Sequence, residues 1–415
     1  MLNPKISPRL ALALALAVTT GLAQAGPVRS VGILSFADAD TVVISDWRAG
    51  ELHAVRLPPL QAASGSTPFN LKNVSAPIAK ALHAQPDALR FEGMAFRPGS
   101  GVAYITLSVG TGGKTPRPAL VTVDASNRVG VVDLARLPHT SAAIQGAPAA
   151  DKRLWRELPQ ATLTVTSMLS HQGKLYVAGL SDASFASTLR VYDFPFTAGG
   201  RATATSIEMY HAVHNELETR APIRAMAIAT LNGEPSLVAA YTCTPLVTIA
   251  LKELTDGAHV TGKTIAELGW GSEPVDMVSF DAGDGPVILL ANTHKAADLM
   301  SVASIAEAAA KPGLSTPIQW PAQPLLGLKS TYVPLPGVAR LVNQDKAFLA
   351  ALRRNEASGA MELVSLRKGA FLRVSDFVNE YDFADFRYPP GDAFKGVHKL
   401  LRTDEGFPDL AKRAE

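Results

Sequence analysis

Short apolar runs, each a strand long and broken by turn residues, recur along the whole chain. Six of them open alike: Val31-Gly32-Ile33-Leu34, Glu92-Gly93-Met94-Ala95, Thr166-Ser167-Met168-Leu169, Arg224-Ala225-Met226-Ala227, Val275-Asp276-Met277-Val278 and Lys329-Ser330-Thr331-Tyr332. A second strand follows each after a short turn, as at Thr41 to Ser45, Lys174 to Ala178 and Ala347 to Ala351, and a third then follows, as at Glu51 to Leu57 and Leu246 to Leu251. Fourth strands are less regular, with Arg128 to Leu134, Ser206 to Val213 and Ala370 to Phe377 the clearest. Turn signals such as Pro98-Gly99-Ser100-Gly101, Gln172-Gly173 and Asp284-Gly285 separate the runs.

Four antiparallel strands repeated about an axis predict an all-β protein, a β-propeller of six four-stranded blades, with seven as the alternative. A β-sandwich also uses many short strands but gives no reason for one opening strand to return. The openings lie about 51 to 74 residues apart, so the units carry long connections. Ser75 to Leu82 reads as a short helix within one of them, and the Pro- and Ala-rich stretch from Pro138 to Pro148 reads as a loop. Residues 26–415 are expected to form a single propeller domain, with 379–415 as a closing strand, a C-terminal extension or a degenerate seventh blade.

The first 25 residues differ in composition: Lys5 and Arg9, then an apolar run from Leu10 to Val18, then Ala23-Gln24-Ala25. This is the pattern of a cleaved signal peptide, and the run is too short to span a bilayer. Gly26 follows in place of a lipid-accepting cysteine, so a soluble periplasmic or secreted monomer is expected. Lys5 and Arg9 account for the formal charge of +2, so the remainder is neutral and nucleic-acid binding has no electrostatic support. The single cysteine, Cys243, cannot form an intramolecular disulfide, so the core must supply the stability.

Aligning the openings yields two columns. Gly32, Gly93, Ser167, Ala225, Asp276 and Ser330 are mostly small, as crowding near an axis demands; Val31, Glu92, Thr166, Arg224, Val275 and Lys329 differ in chemistry. Second-to-third loops and interblade loops meet at one end of a propeller. That end is expected to hold all four tryptophans, Trp47, Trp155, Trp270 and Trp320, with Asp46, Asp182, Arg220, Glu273, Asn292 and His294. Tryptophans there pack under loops or supply a rigid surface for a ligand or partner. Glu92, Arg224, Asp276 and Lys329 form a mixed-charge mouth, either closed by Glu92–Arg224 and Asp276–Lys329 ion pairs or open to grip a carboxylate or phosphate.

His211, His214 and Glu218 invite a metal reading, but on a strand residues three apart face opposite sides. Cys243 is placed to approach His294, as a soft-metal ligand, a nucleophile or simply a small buried residue. Haem-attachment, nucleophile-elbow, zincin and phosphate-loop motifs are missing from the sequence.

The pattern resembles that of secreted bacterial propellers of the YVTN and gluconolactonase/strictosidine-synthase-like kind. Phe91-Glu92-Gly93-Met94-Ala95-Phe96 and Val275-Asp276-Met277 are similar to the Glu- and Asp-bearing strands of calcium-dependent lactonase propellers. That likeness implies Ca²⁺ on Glu92 and Asp276 as acidic catalytic groups, but Arg224 and Lys329 occupy corresponding positions in other units and would repel a cation. The sequence is therefore read first as a module without cofactor that binds a small ligand or a periplasmic protein through Trp47, Arg224, Trp270, His294, Trp320 and Lys329. A metal-dependent lactonase-like hydrolase and an accessory partner of a redox enzyme are the alternatives.

Overall fold

Residues 26–60, 67–110, 115–154, 157–197, 201–269, 272–283, 285–319 and 325–369 are described by the computed structural model. The expected signal peptide, the tail from 379 and Trp155, Trp270 and Trp320 lie outside these residues. The first apolar run forms β1 (Leu34–Phe36), β2 (Thr41–Asp46) and β3 (Glu51–Arg56); β4 (Asn70–Leu71) and helix α1 (Ser75–Ala81) follow. The second forms β5 (Leu89–Phe96), β6 (Ala103–Val109), β7 (Arg117–Val123) and β8 (Val129–Val132). Next come β9 (His139–Ala143), β10 (Ser167–His171), β11 (Lys174–Leu180), β12 (Ser187–Asp193), β13 (Thr203–His211) and β14 (Glu216–Glu218).

The fourth run gives β15 (Ile223–Leu231), β16 (Glu234–Tyr241), β17 (Pro245–Ala250) and β18 (His259–Glu267). The fifth gives β19 (Pro274–Asp281), β20 (Pro286–Asn292), β21 (Ala297–Ser301), helix α2 (Val302–Ala310), β22 (Leu326–Gly327) and β23 (Thr331–Val333). β24 (Val338–Asn343), β25 (Phe348–Arg354) and β26 (Met361–Arg367) complete the described strands.

Four separate four-stranded sheets result, with orders β1-β2-β3-β9, β5-β6-β7-β8, β19-β20-β21-β23 and β24-β25-β26-β4. The meanders β10 to β13 and β15 to β18 join through a parallel β13–β18 pairing into one ten-stranded sheet, to which β14 and β22 add. Its edges β10 and β15 lie against each other, so this sheet nearly closes into a barrel. The chain is thus all-β and propeller-like. Innermost strands follow one another around an axis in the order β1, β10, β15, β19, β24, β5 and back to β1. They enclose a narrow channel of about 290 Å³.

That order is not the chain order. The unit β5 to β8 sits between the last unit and the first, and two strands from far away in sequence complete its neighbours. β9 pairs with β3 through Val55↔His139, and β4 pairs with β26 through Leu363↔Leu71. The ring is thereby clasped on both sides of one unit, which requires long loop closures before their contacts can stabilise the ring. Second strands run through the middle of the units and are mostly apolar and buried, as in Ala103–Val109 and Pro286–Asn292. Apolar clusters fill the gaps between neighbouring units: Met94 and Ile105 meet Leu352 and Leu363, and Ala225 and Val238 meet Met277 and Ile288.

Three expectations change. Lys329 to Tyr332 is not an inner strand; Thr331–Val333 is the outer strand of the preceding sheet, paired to β21, and the inner strand is β24. The turn at Pro336-Gly337, with Gly337 at φ 69°, marks the true start, and Ser330 only imitates the small-residue column. His139–Ala143, expected within a loop, is an outer strand because β3 needs an edge partner. Helix α2, not foreseen, is an alanine-rich segment capped by Ser301, whose side chain accepts a bond from the Ser304 N–H.

The recurring opening has a local cause. β5, β15, β19 and β24 each carry a register irregularity at one place, between Phe91 and Gly93, Ile223 and Ala225, Pro274 and Asp276, and Val338 and Arg340. Glu92, Arg224, Val275 and Ala339 are the extra residues of these bulges, which end regular pairing and re-aim side chains. Gly93 is required by crowding: a Cβ there would stand 2.7 Å from Leu34 Cδ2 and 2.9 Å from the Gly32 carbonyl oxygen.

Candidate functional site

A wide cleft opens where second-to-third loops meet interunit loops, as propeller connectivity predicts. Its volume is about 1000 Å³, and Leu154, Leu163 and Leu180 supply an apolar wall. Arg220, Arg224, Cys243, Glu273 and His294 supply the polar groups. Arg224 reaches it because it is the bulged residue of β15. Burial lowers the pKa of this guanidinium, as does the Arg340 charge, while Asp276 and Glu273 act the other way. Among the described residues Arg224 makes no hydrogen bond and no ion pair. His294, largely exposed, lies 3.4 Å from Glu273.

Cys243 occupies the β16–β17 turn at φ 76° and is half-buried. It shares the cleft wall with His294, and its thiol acts on His211, helping to raise the pKa of that imidazole.

The mixed-charge mouth does not pair as its sequence order implies. Arg90 Nε donates to Glu92 Oε1 at 2.6 Å, and Ser108 donates to the same oxygen at 2.6 Å. Arg340, absent from the sequence-based set, donates through Nε to the Glu92 carbonyl at 2.8 Å and stands 3.9 Å from Asp276. Burial pushes the Asp276 carboxyl up, against Arg340, the Leu341 N–H and Arg224. Glu92 and Asp276 therefore do not fit a calcium ion: a guanidinium bridges the Glu92 backbone and the Asp276 side chain. Arg340 belongs to the same column as Asp276, and an inner strand placed at Val338 in the sequence would have found it.

Lys329 is exposed beside the β22–β23 connection, in a smaller cleft with Glu267, Leu328 and Tyr332, away from the channel. Trp47 lines a separate cleft of about 490 Å³ with Arg29 and Arg153, and Arg48 stacks 4.4 Å from its ring centroid. Asp46, expected among the loop-face polar groups, is fully buried and structural.

His211 and His214 do converge. β13 ends at His211, the turn reverses the chain, and β14 pairs back through His211↔Glu216 and Met209↔Glu218. A turn at this point brings residues three apart together where a continuous strand would separate them. His211 Nδ1 lies 2.8 Å from Glu218 Oε1, and His214 Nδ1 bonds the same oxygen. Behind this group, His211 Nε2 lies 3.1 Å from Thr244 Oγ1, Thr244 donates to Glu267, and Glu267 accepts the Ala212 N–H at 2.6 Å. Burial alone would discharge His211; hydrogen bonds to Cys243 and Glu218 and the Glu267 charge raise its pKa to about 10.

These features define a class: a propeller-like all-β protein with a wide, partly cationic cleft on its loop face. No family model and no curated protein matches the chain. Among solved structures, one of glucose dehydrogenase is similar at 11% identity and TM-score 0.32, over 83% of this chain and 98% of that one. A second glucose dehydrogenase structure matches at 9% identity and TM-score 0.29, over 83% and 98%. A structure of Chaetomium thermophilum Raptor matches at 10% identity and TM-score 0.29 over 84% of this chain, which spans 25% of that chain's length. Likenesses this distant carry no argument about activity, and the propeller-like arrangement rests on strand order. No helix among the described residues is long and apolar enough to cross a membrane.

Proposed function

We propose that this chain is an exported six-bladed β-propeller that binds a small anionic ligand, a carboxylate or phosphate, in the loop-face cleft. The ten-stranded sheet counts in this reading as two blades zipped along their outer strands, which the cyclic order of inner strands supports. Its likeness to secreted YVTN-type and lactonase-like propellers is then one of architecture. The observation that carries the functional reading is Arg224, a half-buried guanidinium on a 1000 Å³ cleft with no ion pair to a carboxylate among the described residues. A desolvated arginine held this way is suited to a fork-shaped bond with a planar or tetrahedral anion. Arg220 adds a second cation at the rim, while Glu273 is engaged with His294.

Cys243, the only cysteine in the sequence, lines the same cleft and reports on its occupancy. In EDTA-treated buffer, maleimide labelling of Cys243 is expected to slow when the right member of a series of mono-, di- and tricarboxylates and phosphate esters is added. Arg224→Gln should weaken that protection roughly tenfold or more, as loss of a charged hydrogen bond does. Protection by anions that survives unchanged in Arg224→Gln, or no protection by any member of the series, would remove the proposal.

A further inference from the structure

We infer that His211, His214 and Glu218 form a binding site for a divalent transition-metal ion of the zinc class. One ligand atom from each, the two imidazole nitrogens and a carboxylate oxygen, lies within 4.8 Å of the other two. This is an N₂O donor set of the kind zinc accepts, with a further coordination position left for water or a ligand. The open side faces outward, because the His214 side chain is 51% exposed, whereas that of His211 is 1% exposed.

The support behind the buried ligand distinguishes this group from a casual surface pair. With its Nδ1 on a metal, a neutral His211 carries its proton on Nε2, and Thr244 Oγ1 stands 3.1 Å away to accept it. Thr244 in turn donates to Glu267, which is 1% exposed and fixed by the Ala212 N–H. Such a relay from the far nitrogen to a carboxylate orients a ligating histidine and raises its basicity. Metal uptake requires each ring to present an unprotonated Nδ1, so the ion takes the place of the Nδ1 contacts that both histidines now make with Glu218 Oε1, and each neutral ring keeps its proton on Nε2. The field of Glu218 and Glu267 compensates the incoming charge. Cys243 and Thr244 belong both to the cleft wall and to the contacts of His211, so the metal would stiffen that wall from behind.

The experiment uses the full chain, stripped with EDTA and titrated with Zn²⁺ against a chromophoric chelator. One equivalent is expected to be taken up. His214→Ala, a half-exposed position where folding is not at stake, should abolish the uptake, and Thr244→Val should weaken it roughly ten- to a hundredfold. Co²⁺ in place of Zn²⁺ should give visible ligand-field bands that His214→Ala eliminates. Failure of the folded wild-type protein to take up Zn²⁺, or full affinity retained in His214→Ala, overturns the inference. Neither result bears on the anion cleft, which is assayed without metal.

Discussion

Gly179→Ala is expected to destabilise the protein by about 3 kcal/mol or more, the upper range for overpacking a filled interior. Gly179 lies in β11, and a Cβ built there meets the Thr164 carbonyl oxygen at 2.0 Å and the Leu163 carbonyl oxygen at 2.8 Å. Both obstacles are backbone, so no side-chain rotation relieves the clash. Displacing Thr164 also disturbs the connection that carries the chain from β9 to β10. Fully buried Arg190 fastens that connection, donating to the carbonyls of Gln145 at 2.8 Å, Leu180 at 3.2 Å and Thr164 at 3.5 Å. Urea unfolding should show the loss, while Gly369→Ala, with nothing within 4 Å of its Cβ, should stay within about 0.5 kcal/mol of wild type. Equal stability of the two variants would mean that the segment does not pack on β11 as described.

Asp46→Asn is expected to cost about 2 kcal/mol at pH 7 and progressively less in acid. The carboxylate accepts from the Arg29 N–H at 2.5 Å, Ser30 Oγ at 2.6 Å and the N–H groups of Arg48 and Ala49 at 3.1 Å each, with His53 Nε2 3.5 Å away. Burial raises its pKa, but His53, Ser30, Arg29 and Ala49 outweigh that and bring it from 3.8 down to about 2. A carboxyl with a depressed native pKa stabilises fully above its unfolded value and loses that contribution as pH falls through the native one. The difference between wild type and Asp46→Asn should therefore be constant above about pH 5 and shrink between pH 4 and 2. A difference that does not change with pH would show that the charge of Asp46 is not what ties residues 29 and 30 to the β2–β3 turn.

The candidate site was partly legible in the sequence. Arg224, Cys243 and His294 reach one cleft because strand-and-turn order alone assigns loops to ends. Lys329 does not join them, because the strand that follows it pairs outward with β21 while Arg340 takes the place at the axis. Trp47 also sits elsewhere, in a cleft of its own. The convergence of His211, His214 and Glu218 was hidden because it depends on where a strand stops, and a one-turn reversal erases the two-residue alternation on which strand reading relies.

By itself the sequence determined that the chain is all-β and where most strands run, and it marked the inner-strand column that holds Gly32, Gly93, Ser167 and Ala225. Alternation and turn chemistry are local, so they are written in neighbouring residues. Only the tertiary structure decided that β5 to β8 stands between the last unit and the first, and that β9 and β4 complete sheets begun elsewhere. It also decided which charges meet, setting Arg340 against Asp276 and leaving Arg224 without an ion pair among the described residues. Those outcomes depend on pairings such as Leu363↔Leu71, between residues far apart in the chain, for which local periodicity holds no record.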